Sequence, residues 1–360
     1  MDMPVALRQR KGRGAASNAS GRFEAERRVA FDDGWGLADE EPAPLATTLS
    51  VDSTRTIIAR NDSPDIGFDR SINPYRGCEH GCIYCYARPS HAFLGLSPGL
   101  DFESRLFYKP QAAKLLAAEL RKKGYICRPI ALGSNTDPYQ PVERKLGITR
   151  AILEMLRDFR HPVTIVTKST LIQRDLDILA EMARDRLAMA AISVTTLDRG
   201  LARVMEPRAA TPERRLETIA ALAAAGVPAA VMSAPMIPAL NDSEMEQILE
   251  RARAAGATSA AYTLLRLPLE LEDLFKEWLE THFPAKAAHV LSLVAQTHGG
   301  RLYDSTWSKR MTGTGPYADV LRLRFERACR RLGFNERTTQ ELDTGRFLPP
   351  PQKGDQLALF

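Results

Sequence analysis

Long apolar runs are missing from this 360-residue chain. Leu115–Leu120 and Ala220–Ala225 are short and helical in pattern, so no membrane span is expected. The N-terminus carries basic residues but no apolar core of the kind a secretory signal needs. A disulfide framework is missing too: the five cysteines are odd in number and three are clustered, which points to a reducing, cytoplasmic setting. Charge of one sign is only mildly in excess, at +5, which permits a nucleic-acid partner without requiring one. Ordinary values fill the remainder. With 44% apolar and 26% charged residues, the chain has the length and content for one large α/β domain or two small ones.

Chemistry concentrates in Asn73-Pro-Tyr-Arg-Gly-Cys78-Glu-His-Gly-Cys82-Ile-Tyr84-Cys85-Tyr86-Ala. Cys78, Cys82 and Cys85 are close enough on a glycine-bearing loop to converge on one metal centre. A closed structural zinc site wants four ligands, and no fourth cysteine lies nearby. Three thiolates on a [4Fe-4S] cluster leave one iron open for a small molecule, a catalytic arrangement. His80, between the ligands, reads as a loop residue hydrogen-bonded near the metal.

The spacing Cys-x3-Cys-x2-Cys, with Tyr84 before the last cysteine, resembles the cluster loop of radical S-adenosylmethionine (SAM) enzymes. The flanking Asn73-Pro-Tyr-Arg-Gly and Cys85-Tyr-Ala resemble more narrowly the spore photoproduct lyase-like branch. The resemblance covers roughly Asp69 to Leu267. It implies two cofactors, a [4Fe-4S] cluster and SAM, a one-electron donor, and cleavage of SAM to methionine and a 5′-deoxyadenosyl radical.

Along the chain, residues 1–50 read as a poorly ordered leader in which Arg8, Arg10, Lys11 and Arg13 are candidates for phosphate contact or a solvated tail. Thr54–Arg60 alternates as a strand leading into the core. Thereafter short apolar runs alternate with amphipathic helices. Strands are expected over Pro129–Gly133, Val163–Thr167, Met189–Thr195, Val227–Ser233 and Ser259–Leu265. Helices are expected over Pro110–Lys123, Ile148–Asp158, Leu171–Arg184, Thr211–Ala225 (capped by Thr211) and Ser243–Ala255. This rhythm argues for α/β architecture with a parallel sheet. The resemblance implies the partial (β/α)6 radical-SAM barrel over 51–267. A mostly helical C-terminal extension over 268–347 and a tail over 348–360 follow. Within the extension, the glycine-rich loop 299–315 is a candidate to cover the barrel mouth or to join helices.

Working residues in such sheets gather at the strand C-termini. That rule selects Ser134 for a SAM amino or carboxylate group, and Ser193 and Thr195 for ribose hydroxyls. Met232 is a candidate for adenine. The resemblance implies that Lys168, in a Val-Thr-Lys context, binds the SAM carboxylate, and that Tyr84 lies beside the cofactor. Tyr86 is a candidate to line the site. Glu206-Pro-Arg208 and Asp137-Pro-Tyr-Gln140 are read either as internal ion pairs or as substrate-positioning groups.

Spore photoproduct lyases carry a hydrogen-donating cysteine at the end of the strand after the cluster loop; here that end reads Gly133-Ser134, without a thiol. Radical initiation carries over; DNA photoproduct reversal does not. Cys127 and Cys329 are expected to be buried structural thiols. Finally, Gln356-Leu-Ala-Leu-Phe360, behind a Pro/Gly tether, resembles the peptide by which bacterial repair factors dock on the DNA sliding clamp. Three readings follow: a radical SAM enzyme with nucleic acid as a candidate substrate, a non-catalytic metal-bearing DNA-associated protein held on the clamp, and a radical enzyme modifying protein or RNA.

Overall fold

The computed structural model describes residues 10–28, 44–336 and 341–351. Elements are numbered in chain order. The main sheet holds β2 (Ile58–Arg60), β3 (Arg70–Ile72), β6 (Ile130–Leu132), β7 (Val163–Thr167), β8 (Ala188–Ser193), β9 (Ala229–Met236) and β10 (Ser259–Leu264). Their spatial order is β10-β9-β8-β7-β6-β3-β2. Every pair from β3 to β10 is parallel, giving six parallel strands. Helices α2 (Ala112–Leu120), α4 (Ile148–Asp158), α5 (Leu176–Arg184), α7 (Pro212–Ala224) and α8 (Met245–Ala254) form the crossovers.

The local reasons are visible in each pair. Val163, Ile165 and Thr167 of β7 are buried while Thr164 and Val166 are half-buried, the two-residue alternation of a strand. Ile148, Ile152, Leu153 and Leu156 form one buried stripe of α4, spaced as a helix requires. Leu132, Ile165, Ile192 and Val231 of the sheet pack with Ile152, Leu179, Ile219 and Leu222 of the helices in one core. Gly226 and Gly256, both at positive φ, end the two helices that the sequence also ends there.

A second core is built on the C-terminal helices α9 (Leu271–His282) and α10 (Pro284–Thr297). Phe275, Trp278 and Val290 pack there with Ile83 and Tyr84 of the cysteine loop and Met205 of α6 (Arg199–Met205). Trp278 also donates to the Val204 carbonyl at 3.1 Å. Helix α11 (Pro316–Leu332) joins the main core through Leu321 and Ala328.

Four expectations change. The Thr54–Arg60 run shortens to β2, an antiparallel edge strand on β3 with Ala59 and Arg60 exposed, because only Ile57 and Ile58 of the run reach the main core. Thr211 precedes α7 without bonding its amides; Pro212 starts the helix instead. Cys127 is half-buried rather than buried, since it precedes β6 beside exposed Ile126. In the leader, residues 10–28 pack against the body, and Arg13 is 2% exposed. A small sheet of β1 (Thr48–Val51), β5 (Arg105–Tyr108) and β4 (Tyr75–Arg76), in that order, lies beside the cysteine loop and has no strong signal in the sequence.

Edge strand β10 is covered. The Leu264 amide donates to the Met311 carbonyl at 2.8 Å, and the Asn335 side chain both accepts from Ala260 N and donates to Ala260 O. The loop 299–315 reaches from there to the other end of the sheet, where Arg310 bonds Asp65 at 2.7 Å and Ser308 N donates to the same carboxylate. That loop therefore spans the open side of the sheet.

Candidate metal centre at the strand ends

Parallel strands place all their C-termini on one rim, and the cysteine loop lies there after β3 and β4. Cys78 and Cys82 are buried and Cys85 is half-buried; all three thiols are free. The loop is pinned through its backbone: Cys78 N donates to Phe102 O, Ile83 N to Met205 O, and Cys85 N to Cys82 O.

Behind the loop lies a buried ion pair. Arg88, fully buried, donates to the carbonyls of Gly81 at 3.0 Å and Cys82 at 2.9 Å and pairs with the buried carboxylate of Glu103. Glu103 in turn accepts the amides of Gly14 and Ala15, each at 2.9 Å. Arg13 donates to the carbonyls of Glu103 and Leu45, both at 2.6 Å. The leader thus straps the back of the loop. At the crossing, a Cβ on Gly14 would sit 1.9 Å from the Gly81 carbonyl oxygen, so only glycine fits.

The front of the loop is stapled to the strand ends. His80 Nδ1 lies 3.2 Å from the Asp137 carboxylate. Asp137 also accepts from Thr167 Oγ1 at 2.7 Å and from the Lys168 amide at 2.8 Å. Burial alone would raise this carboxyl; His80 and these donors outweigh it and hold it at about 2. Asn73 bonds the Ser134 hydroxyl at 3.0 Å and accepts the amides of Asn135 and Thr136. Glu79 pairs with Arg208 at 3.0 Å.

A third network lies under the loop. The Tyr84 hydroxyl is 3.2 Å from Thr195 Oγ1 and donates to Glu206; Glu206 pairs with buried Arg215. Thr195 Oγ1 also bonds Glu206 at 2.8 Å, so both hydroxyls are engaged internally. Of the two sequence readings for Glu206, the ion pair is the one present, with Arg215 rather than Arg208 as partner.

The predicted residues fall out unevenly. Ser134, Lys168, Ser193 and Thr195 stand at or just past strand ends on the rim of the cysteines, whereas Met232 lies within β9, which runs on to Met236, and pairs in register with Ser193. Lys168 lies 5.7 Å from the Tyr84 ring centre and is tied to no carboxylate among the described residues. Ser193 is buried and its carbonyl accepts from Arg215 at 3.1 Å. Strand-end logic also applies to Arg266, two residues past β10, which the sequence reading passed over. Gln356–Phe360 and Arg8 lie outside the described residues.

The donor set fits the group that the motif implies. Burial first, and the Asp137 charge second, push the Cys78 thiol well up; burial pushes Cys82 up against the lowering pull of Lys168. Such thiols become thiolates only under a strong Lewis acid. Among the described residues, no three His, Cys, Asp or Glu side chains gather tightly enough for a single ion. A multi-iron cluster takes one thiolate per iron, and this loop offers three free thiols.

Comparisons with known proteins agree with this geometry. Residues 72–252 match the family model described as the radical SAM superfamily. An uncharacterized protein of Mycobacterium bovis is 39% identical over 254 residues, covering 69% of this chain and 75% of the relative. One from Methanocaldococcus jannaschii is 27% identical over 213 residues, covering 59% and 76%. A spore photoproduct lyase variant superimposes with a TM-score of 0.58 at 13% identity, over 79% of this chain and 80% of the other. A further variant, solved with bound AdoMet and dinucleoside spore photoproduct, gives 0.57 at 13% identity over the same shares. With the motif, the six parallel strands and the matched length in agreement, this chain belongs to the radical SAM superfamily.

Proposed function

We propose that the protein is a cytoplasmic radical SAM enzyme of the spore photoproduct lyase-like branch, acting on a nucleic-acid substrate. The single observation carrying this reading is the meeting, on one rim, of three free loop cysteines with Lys168, a cation left without a carboxylate. Cys78, Cys82 and Cys85 would hold the [4Fe-4S] cluster, whose chemistry when loaded is one-electron cleavage of SAM to methionine and a 5′-deoxyadenosyl radical. Lys168 binds the SAM carboxylate as a point charge. Ser134, its hydroxyl oriented by Asn73, bonds the amino acid end; Ser193 and Met232 line the nucleoside end. Tyr84 and Thr195 act at one remove, since Glu206 engages both hydroxyls.

The packed helices and the strap seal the back of the loop from water, leaving the rim as the approach for ligand. Nucleic acid as the substrate class is supported by the fold match to the lyase and by the mild positive charge; docking of Gln356–Phe360 on a sliding clamp rests on sequence alone.

The test is anaerobic reconstitution with iron and sulfide, followed by SAM and dithionite, with 5′-deoxyadenosine quantified. Wild type is expected to give product and each of Cys78→Ala, Cys82→Ala and Cys85→Ala none. Lys168→Ala is expected to weaken SAM binding about tenfold by calorimetry on the loaded protein. Zinc in place of iron in anaerobically purified protein sinks the reading.

A further inference from the structure

The rim carries a second cation, on the last parallel strand. Beyond β10 the chain passes through Leu265 to Arg266, whose guanidinium carbon lies 4.3 Å from the ring centre of Tyr86. Tyr86 directly follows the third cysteine, is 45% exposed, and donates its hydroxyl to the Ser134 carbonyl. The ring is therefore fixed to the cofactor side of the rim while its surroundings stay open.

Arg266 differs from the arginines behind the loop. Arg88 and Arg215 are buried and each meets a carboxylate. Arg266 is half-buried, and no carboxylate or carbonyl among the described residues accepts from it. Burial weighs first against its charge. Tyr86, Tyr303 and Cys85 stand near it on the favourable side, and Arg310 repels it. Arg310 itself is already taken by Asp65. A partly desolvated guanidinium that meets no carboxylate keeps its N–H donors for an anion that a ligand supplies.

We propose that Arg266, braced on Tyr86, is the residue that grips a phosphate of the substrate at the mouth of the site. It rests on the radical SAM reading for calling the bound molecule a substrate. The planar fork of arginine fits phosphate oxygens bidentately. The exposed faces of Tyr86 and of Trp307, 53% exposed on the loop that spans the sheet, suit unpaired bases. This combination favours a single-stranded or everted nucleotide over an acidic peptide.

The experiment uses full-length protein reconstituted with iron and sulfide, its iron content recorded, and a short fluorescein-labelled single-stranded DNA followed by anisotropy. Arg266→Ala is expected to weaken binding about tenfold and to lower the slope of log affinity against log salt by about one. Arg266→Lys is expected to restore the salt slope but not the affinity. Arg322→Ala, already paired with Asp319 and Glu326 on α11, is the control and is expected to bind as wild type does. Equal binding by wild type and Arg266→Ala overturns the proposal, as does displacement of the DNA by oligoglutamate at matched ionic strength. Protein that binds DNA through Arg266 yet takes up no cluster keeps the phosphate site and sinks the radical reading; the two failures are distinct.

Discussion

The cations behind the cysteine loop and two of those at its front are partnered in opposite ways. At the back, Arg88 and Glu103 are fully buried and bonded on every side, and Arg215 with Glu206 repeats the pattern beneath Tyr84. At the front, Lys168 and Arg266 meet aromatic rings instead of carboxylates. Buried pairs of the first kind fix a loop in one conformation, because losing either partner strands a charge away from water. Cations of the second kind contribute little to folding and keep their hydrogen-bonding capacity for a ligand. The contrast separates scaffold from site more sharply than distance from the cysteines does.

Breaking the back should have the largest effect. Arg88→Met leaves Glu103 buried without its cation and is expected to cost about 3–5 kcal/mol in urea unfolding, with loss of bound iron. Glu206→Gln should cost about 3 kcal/mol by the same logic, because Arg215 then faces no carboxylate; a full-strength variant with unchanged unfolding would contradict the network's role. Gly14→Val drives a side chain into the Gly81 carbonyl and is expected to cost about 1–3 kcal/mol. Limited proteolysis after Arg13, which is buried with Gly14 and Ala15 in wild type, should then become faster. The smallest change in stability belongs to the front: Arg266→Met should unfold within about 0.5 kcal/mol of wild type, while binding of single-stranded DNA falls. A large loss of stability there would erase the distinction.

The parallel sheet was legible because each strand and crossover helix states its own period. Ile148–Asp158 and Val163–Thr167 appear in the fold with the bounds their residues suggest. The cysteine motif was legible for a different reason, since its three cysteines fall within eight residues. What supports the motif was not. Arg13, Glu103 and Arg88 meet across as many as 90 positions, and nothing local distinguishes Arg13 from Lys11, which is exposed. Basic, glycine-punctuated sequence reads as a solvated tail until the buried carboxylate that receives it is known. Arg266 was within reach of the strand-end rule; what hid it was the aliphatic Leu264-Leu265 run, which reads as plain core.

Asn335 has a consequence for the protein's behaviour in solution. Its amide side chain imitates the peptide group of a neighbouring strand on Ala260, and Met311 does the same at Leu264. Together they occupy positions that an incoming strand from another molecule would use. With one side chain and one loop seated on it, this end of the sheet leaves fewer free amides and carbonyls for a strand of another molecule to pair with.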